Sequence, residues 1–114
     1  MPSSAHFSRT MPSKSKVKGN AYEVELVKEA KAMGLQAKRA WGSDGRSLGL
    51  HEGVDLVVEG QTIQAKRRKA IASYIRPDDN VDVQVLRQDY GASYAVMPYT
   101  HYLQLLARAK EDKP

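Results

Sequence analysis

An amphipathic segment from Asn20 to Met33 is the strongest periodic pattern in the chain. Asn20 can cap the start of a helix, and Gly34 follows where a left-handed residue commonly ends one. The apolar positions recur at helical spacing and predict a buried face made of Leu26, Val27, Ala30 and Met33. The same spacing places Glu23 on this face, whereas the neighbouring charges lie on other faces: Glu25, Lys28 and Glu29.

The middle of the chain alternates as β-strands do. Leu35 to Trp41 predicts a first strand, and Gly42 to Gly53 predicts a long glycine-rich loop. Val54 to Val58 predicts a buried second strand, which the two-residue turn Glu59-Gly60 joins to a third strand from Gln61 to Arg67. Alternation gives the third strand one polar face, made of Thr62, Gln64 and Lys66.

The stretch from Asp79 to Tyr90 fits two structures. Its apolar positions are Val81, Val83, Val85 and Leu86. Val81, Val83 and Val85 alternate as they would in a strand. Val81, Val85 and Leu86 also fit the spacing of a helix, which we favour. Ala92 to Met97 then predicts a strand, and Pro98 precedes a final helix from about Tyr99 to Ala109. The predicted inward positions of that helix are Leu103, Leu106 and Ala107. The predicted element order is αβββαβα, which is an α/β domain.

The 114 residues suffice for one domain. Residues 1–19 are rich in Ser, Lys and Pro and show no periodicity, so we expect a flexible basic arm there. The folded domain is predicted to span residues 20–110, with a short tail at 111–114.

Basic residues exceed acidic ones, with 18 Lys and Arg against 13 Asp and Glu and a pI near 9.5. Such a surface attracts polyanions, of which nucleic acid is the obvious candidate. The excess is concentrated before the first helix and after the third strand, at Lys14, Lys16, Lys18, Lys66, Arg67, Arg68 and Lys69. The alternative interpretation is that these runs are only solvated surface.

The composition also excludes several classes of site. The chain has no cysteine, which rules out disulfides, thiolate zinc sites and cysteine nucleophiles. His6, His51 and His101 lack the spacing of a zinc site, and no glycine-rich phosphate loop leads into a helix. No stretch has the length and apolarity of a membrane span or a secretory signal. We therefore expect a cytoplasmic, DNA-associated protein that has no membrane partner and no nucleotide cofactor.

Glu23 and Asp55 are acids whose predicted positions call for an explanation. Each falls among apolar residues, where an unpaired charge is costly to bury. A shared divalent cation would offset that cost, because Mg²⁺ prefers oxygen ligands. Lys66 lies on the strand next to Asp55, where it can balance the charge of a phosphate or of an attacking hydroxide. The pattern indicates metal-dependent hydrolysis of a phosphodiester.

The strand-turn-strand unit around Asp55 resembles the signature of the PD-(D/E)xK nucleases, since the turn is followed by Ile63, Gln64, Ala65 and Lys66. Lys18 and Gly19, ahead of Glu23, resemble the opening of archaeal-type Holliday junction resolvases, where a Lys-Gly pair precedes the helix with a catalytic Glu. The end of the first strand and the following loop are similar to the same family at Arg39, Trp41, Gly42 and Ser43. The motifs cover roughly residues 16–69.

The resemblance implies a single-domain restriction-endonuclease-like fold, with a central mixed β-sheet flanked by helices. It also implies a homodimer that cuts four-way DNA junctions at two symmetric sites, using Mg²⁺ or, as a substitute, Mn²⁺. By position, the implied catalytic residues are Glu23, Asp55, Gln64, Lys66 and Ser43, and the first three of these would hold the metal. The expected DNA contacts are Lys14, Lys16, Lys18, Arg39, Arg46, Arg67, Arg68 and Lys69.

Gln64 departs from the family pattern, which usually has an acid at this position. A neutral amide offers a metal its carbonyl oxygen but no negative charge, and Glu52 in the loop is a candidate to compensate. Two alternatives stay open. One is a related nuclease that acts on other branched or duplex DNA, and the other is a catalytically inactive protein that binds junctions.

Overall fold

Helix α1 (Lys14–Ala32) is the first element of the computed structural model, which describes residues 14–40 and 44–112, with side chains from Asn20 onward. The predicted helix is confirmed, but it begins earlier than the predicted cap at Asn20. The preceding residues 14–19 contain three lysines and no proline, so their backbone can continue the helix. This part of the predicted flexible arm is therefore helical, and residues 1–13 lie outside the described part.

The end of α1 is set by Gly34, which has a φ of 78°. Its N–H donates to the carbonyl of Lys31, and the N–H of Leu35 donates to the carbonyl of Ala30, so the last free carbonyls of the helix are satisfied. The prediction that Met33 belongs to the buried face is wrong, since Met33 is 37% exposed. It lies in the turn after the helix has ended and no longer follows the helical stripe.

Three short antiparallel strands form the first sheet, in the order β1 (Ala37–Arg39), β2 (Leu56–Val58) and β3 (Gln61–Ile63). Ala37 pairs with Val58 across β1 and β2, and Leu56 pairs with Ile63 across β2 and β3. The predicted turn between β2 and β3 is confirmed: Glu59 and Gly60 have φ values of 48° and 80°. Positive φ at both positions matches the right-handed twist of the strands.

The core lies between this sheet and the two helices, because each element contributes its apolar face. Helix α2 (Tyr99–Glu111) ends the described chain, and the hydroxyl of Tyr99 donates to the carbonyl of Leu26 at 2.9 Å. Leu103 is fully buried, and Leu106 and Ala107 pack against the core, as predicted. The buried cluster consists of Leu26, Val27, Ala30, Leu35, Leu56, Val58 and Leu103.

The predicted helix within Asp79–Tyr90 is wrong, because this stretch contains strand β4 (Gln84–Arg87). Exposure alternates along β4, and Leu86 pairs with Tyr94 of strand β5 (Ser93–Val96). The two strands form a separate antiparallel sheet. The short apolar pattern fits both periods, so pairing with the next strand along the chain decides the structure.

The element order is therefore αβββββα, and the chain is a small α/β domain with two antiparallel sheets. The expected single mixed sheet is not found among the described strands. Parallel pairing of β5 with an earlier strand would need a long crossover connection, such as the helix that was expected where β4 lies. A short turn joins β4 to β5, so these two strands pair antiparallel. No helix of the described chain combines the length and apolarity that crossing a membrane requires.

Candidate functional site

Two acidic side chains are buried in the folded domain, and they are the two that the sequence singled out. Glu23 is 4% exposed and Asp55 is 9% exposed, and among the described residues no other polar or charged residue is buried. Burial of a charged group is costly unless it is paired or coordinates a metal. The environment of each carboxylate therefore decides what it can do.

Glu23 lies on the core face of α1, where its carboxylate contacts an arginine. The Nε of Arg39 donates to Oε1 of Glu23 at 3.4 Å, a long hydrogen bond. The side chain of Arg39 is 31% exposed and that of Glu23 is 5% exposed. The guanidinium of Arg39 thus compensates the charge of the Glu23 carboxylate from the solvent side. Arg39 was predicted to contact DNA, and in the structure it contacts this acid.

Asp55 holds the backbone on either side of Gln64. Its N–H donates to the carbonyl of Ile63 at 2.9 Å, and its Oδ2 accepts the N–H of Ala65 at 2.7 Å. The prediction that β3 continues to Arg67 is therefore wrong, because β3 ends at Ile63. The N–H of Ala65 turns to the Asp55 carboxylate, and beyond it the chain has no regular structure as far as Ala72.

Both acids lie at one end of the three-stranded sheet. Arg39, the last residue of β1, contacts Glu23, and the next residue, Ala40, donates its N–H to the carbonyl of Asp55 at 2.9 Å. Since Arg39 and Ala40 are consecutive, the sheet places the elements that carry the two acids side by side. The sequence pattern alone gave no register for β1 and did not predict this link.

Gln64 and His51 approach each other around Gly53. A Cβ built on Gly53 would lie 3.1 Å from Nδ1 of His51 and 3.5 Å from Nε2 of Gln64, so a larger residue would crowd this point. Nδ1 of His51 accepts the N–H of Gly53 at 2.9 Å. The imidazole can then donate only through Nε2 when it is neutral. The close approach makes His51 a neighbour of the predicted metal site.

Lys66 is exposed, and it lines a cleft between α1 and the chain after β3. The alternation predicted for this segment is confirmed by exposure: Gln64 and Lys66 are exposed, and Ile63 and Ala65 pack on the core. We call this cavity of about 610 Å³ the basic cleft. Its charged lining consists of Lys66, Arg67, Arg68, Lys69, Arg76 and one acid, Glu25.

The loop before β2 is organised by an ion pair. Asp44 accepts the N–H of Arg46 at 3.0 Å, and Nη2 of Arg46 lies 2.6 Å from Oδ2 of Asp44. The hydrogen bonds from Arg46 hold the pKa of Asp44 below its ordinary value. Glu52, the candidate to compensate for Gln64, is exposed and lies 4.0 Å from Arg46. Ser43, with Trp41 and Gly42, lies outside the described residues.

The predicted DNA contacts fall into three groups. Arg67, Arg68 and Lys69 line the basic cleft, while Arg39 and Arg46 pair with acids. The side chains of Lys14, Lys16 and Lys18 lie outside the described part, although their backbone is helical. The structure adds Tyr22, which lies on α1 far from residues 66–69 along the chain, and Arg76, which follows the short helical turn Ser73–Ile75.

Within the described residues, no group of three or more His, Cys, Asp or Glu side chains is arranged to hold a metal ion. The predicted set differs in kind, since it combines two carboxylates with an amide. Comparison of the chain with protein families, with curated proteins and with solved structures found no match. The site must therefore be interpreted from its own chemistry.

Proposed function

We propose that the protein is a metal-dependent endonuclease that cuts branched DNA, with four-way junctions as its substrate. The observation that carries this proposal is the burial of Glu23 and Asp55, the two acids that the nuclease resemblance selects. The two acids lie at one end of the three-stranded sheet. Lys66 is exposed and is one of the five cations that line the basic cleft. The restriction-endonuclease-like fold belongs to the same proposal for the segment from α1 to β3, since β4 and β5 form a separate antiparallel sheet.

The donor set fits a hard divalent cation. Glu23, Asp55 and the carbonyl oxygen of Gln64 would hold Mg²⁺ or Mn²⁺, and these are the oxygen ligands that such ions prefer. The bound ion would polarise the phosphodiester and lower the pKa of a water molecule. Lys66 would place an ammonium group beside the phosphate, and Nε2 of His51 would offer it a hydrogen bond. A homodimer would present two such sites to the two sides of a junction.

Cleavage of labelled substrates tests this function. The protein is incubated with a four-way junction, a flap and a plain duplex, each with Mg²⁺ or Mn²⁺. We expect paired nicks in the junction, and a loss of at least about 100-fold in rate for Glu23→Gln, Asp55→Asn and Lys66→Met. The exposed acid Asp82 lies outside the site and the cleft, so Asp82→Asn is the matched control and should cut normally.

Binding of the junction in EDTA separates chemistry from folding. Loss of cutting by Glu23→Gln and Asp55→Asn with wild-type binding supports the assignment of the two acids. Lys66→Met also removes a cation from the basic cleft, so its assignment is supported if cutting falls by a larger factor than binding. Wild-type protein that cuts none of the substrates with either metal contradicts the proposal, and cutting of the flap or duplex in place of the junction would reassign the substrate.

A catalytically inactive junction-binding protein is the second candidate, and Gln64 is the observation that favours it. The substitution Gln64→Glu restores the acid that the nuclease pattern usually has at this position. Cutting by Gln64→Glu together with none by the wild type would establish the binding protein. Cutting by the wild type excludes it.

A further inference from the structure

The basic cleft concentrates positive charge in a concave surface. Five of its nine lining residues are cationic, and Glu25 is the one acid among them. None of these five cations forms an ion pair in the described part of the chain. Like charges held together repel one another, and a bound polyanion would remove that repulsion. The grouping of five cations around one cavity with a single acid is the observation that favours a bound polyanion.

Arg76 joins the cleft from beyond the run 66–69, seven residues after Lys69. The short helical turn Ser73–Ile75 directs the backbone so that Arg76 faces the same cavity as the run 66–69. Arg76 also lines a neighbouring cavity, of about 420 Å³, together with Asp78 and Asp79. Arg76 therefore lies where the cationic lining of the cleft meets the acids of the neighbouring cavity.

The cleft adjoins the candidate site, because Lys66 belongs to both. Lys66 lines the cleft and follows Gln64 by two positions, and Tyr22 lines it next to Glu23 on α1. Tyr22, Ala70 and Ile71 give the wall an apolar part, against which a sugar or a base can rest. The cleft thus contains one residue of the candidate site, Lys66, together with Arg76.

We infer that the basic cleft seats the phosphodiester backbone of the DNA strand that leaves the cutting site, and that Arg76 contacts the last phosphate held in it. The inference rests on the proposed function for the identity of the polyanion. Arg76 binds the strand and takes no part in the bond cleavage.

The salt dependence of binding tests the role of Arg76. The affinity for a synthetic four-way junction is measured in EDTA over a range of salt concentrations, by fluorescence anisotropy. Losing one phosphate contact should flatten the slope of log K against log salt by about 0.7 to 0.9, so Arg76→Gln should do so. Arg87, an exposed arginine of β4 outside the cleft, supplies the control Arg87→Gln, which should keep the wild-type slope.

Removal of the single acid provides a test that misfolding cannot imitate. Glu25→Gln raises the net charge of the cleft, so the junction should bind more tightly and with a steeper slope than it binds to the wild type. Glu29 is an exposed acid one turn further along α1 and outside the cleft, so Glu29→Gln should have a smaller effect. Equal effects of Glu25→Gln and Glu29→Gln, or an unchanged slope for Arg76→Gln, would overturn the inference.

Competitors identify the ligand. Inorganic phosphate, poly-glutamate and a short oligonucleotide are each added at constant ionic strength. If the cleft binds a DNA strand, the oligonucleotide should displace the junction at concentrations where phosphate and poly-glutamate do not. Displacement by phosphate would indicate a single-phosphate site, and displacement by poly-glutamate a site for acidic proteins. If the protein binds through Arg76 but never cuts, the proposed nuclease activity is wrong and the inferred role of the cleft stands. If the protein cuts junctions but Arg76→Gln keeps the wild-type slope of log K against log salt, only the inferred role of the cleft is wrong.

Discussion

At the scale of single residues, the two carboxylates of the candidate site, Glu23 and Asp55, also make contacts within the fold. Asp55 terminates β3 through its hydrogen bond from Ala65, and Glu23 is compensated by Arg39. A carboxylate that supports the fold can also hold a metal, because each of its two oxygens has more than one lone pair. The loss of activity in a variant therefore has to be separated from a loss of structure.

Asp55 allows that separation. Asp55→Ala leaves the N–H of Ala65 without its acceptor and should lower the free energy of unfolding by about 1 to 3 kcal/mol. Asp55→Asn keeps an oxygen at the same place and should lose less stability, although it removes the charge. Urea unfolding of both variants measures the difference. Equal losses would mean that the contact with Ala65 does not stabilise the fold.

At the scale of elements, the N-terminus of α2 is joined to α1 through Tyr99, whose hydroxyl donates to Leu26. Burial, and secondarily the charge of Glu29, raises the pKa of Tyr99 from its ordinary value of 10 to about 12. The other end of α2 is held by Lys110, whose Nζ lies 3.1 Å from Oε2 of Glu59 and 3.2 Å from the carbonyl of Gly34. Both ends of α2 therefore contact elements that carry the site.

The raised pKa of Tyr99 predicts how stability depends on pH. Between about pH 10 and pH 12 the phenol of the unfolded chain loses its proton while that of the folded chain keeps it. The unfolded state is then favoured, so stability falls as the pH rises through this window. Tyr99→Phe should reduce this slope, and chemical unfolding at several pH values measures it. Parallel profiles for the two proteins would show that Tyr99 does not titrate in this way.

At the scale of the whole molecule, the net charge of +5 and its clustering would steer DNA towards the protein if the proposed function holds. The cleft accounts for one part of the excess, and Lys14, Lys16 and Lys18 at the start of α1 form another. Counterion release makes each phosphate contact visible as a dependence on salt. The two clusters can therefore be tested separately.

Replacement of Lys14, Lys16 and Lys18 by Gln keeps good helix formers and removes three charges. If all three contact phosphates, the slope of log K against log salt should become shallower by about 2 to 3, while the positions of the cuts stay the same. Anisotropy titrations and mapping of the products measure both. A wild-type slope would assign the three lysines to solvated surface.

The sequence predicted much of this molecule because several of its patterns are local. The face of α1 with Glu23, the Glu59-Gly60 turn and the inward residues of α2 each follow from the spacing of a few neighbouring residues. The burial of Asp55 follows from its place within an apolar run. These features depend on periodicity and turn chemistry, which are properties of the chain itself.

The tertiary structure decided what spacing leaves open. The stretch 79–90 fits both periods, and its residues 84–87 form a strand because β5 pairs with them. Strand β3 ends at Ile63 because the carboxylate of Asp55 accepts the N–H of Ala65. The contact of Arg39 with Glu23 and the position of Tyr22 in the same cleft as Lys66 join residues far apart along the chain. Sequence spacing fixes which way a side chain points, but only the packing of distant segments fixes what it meets.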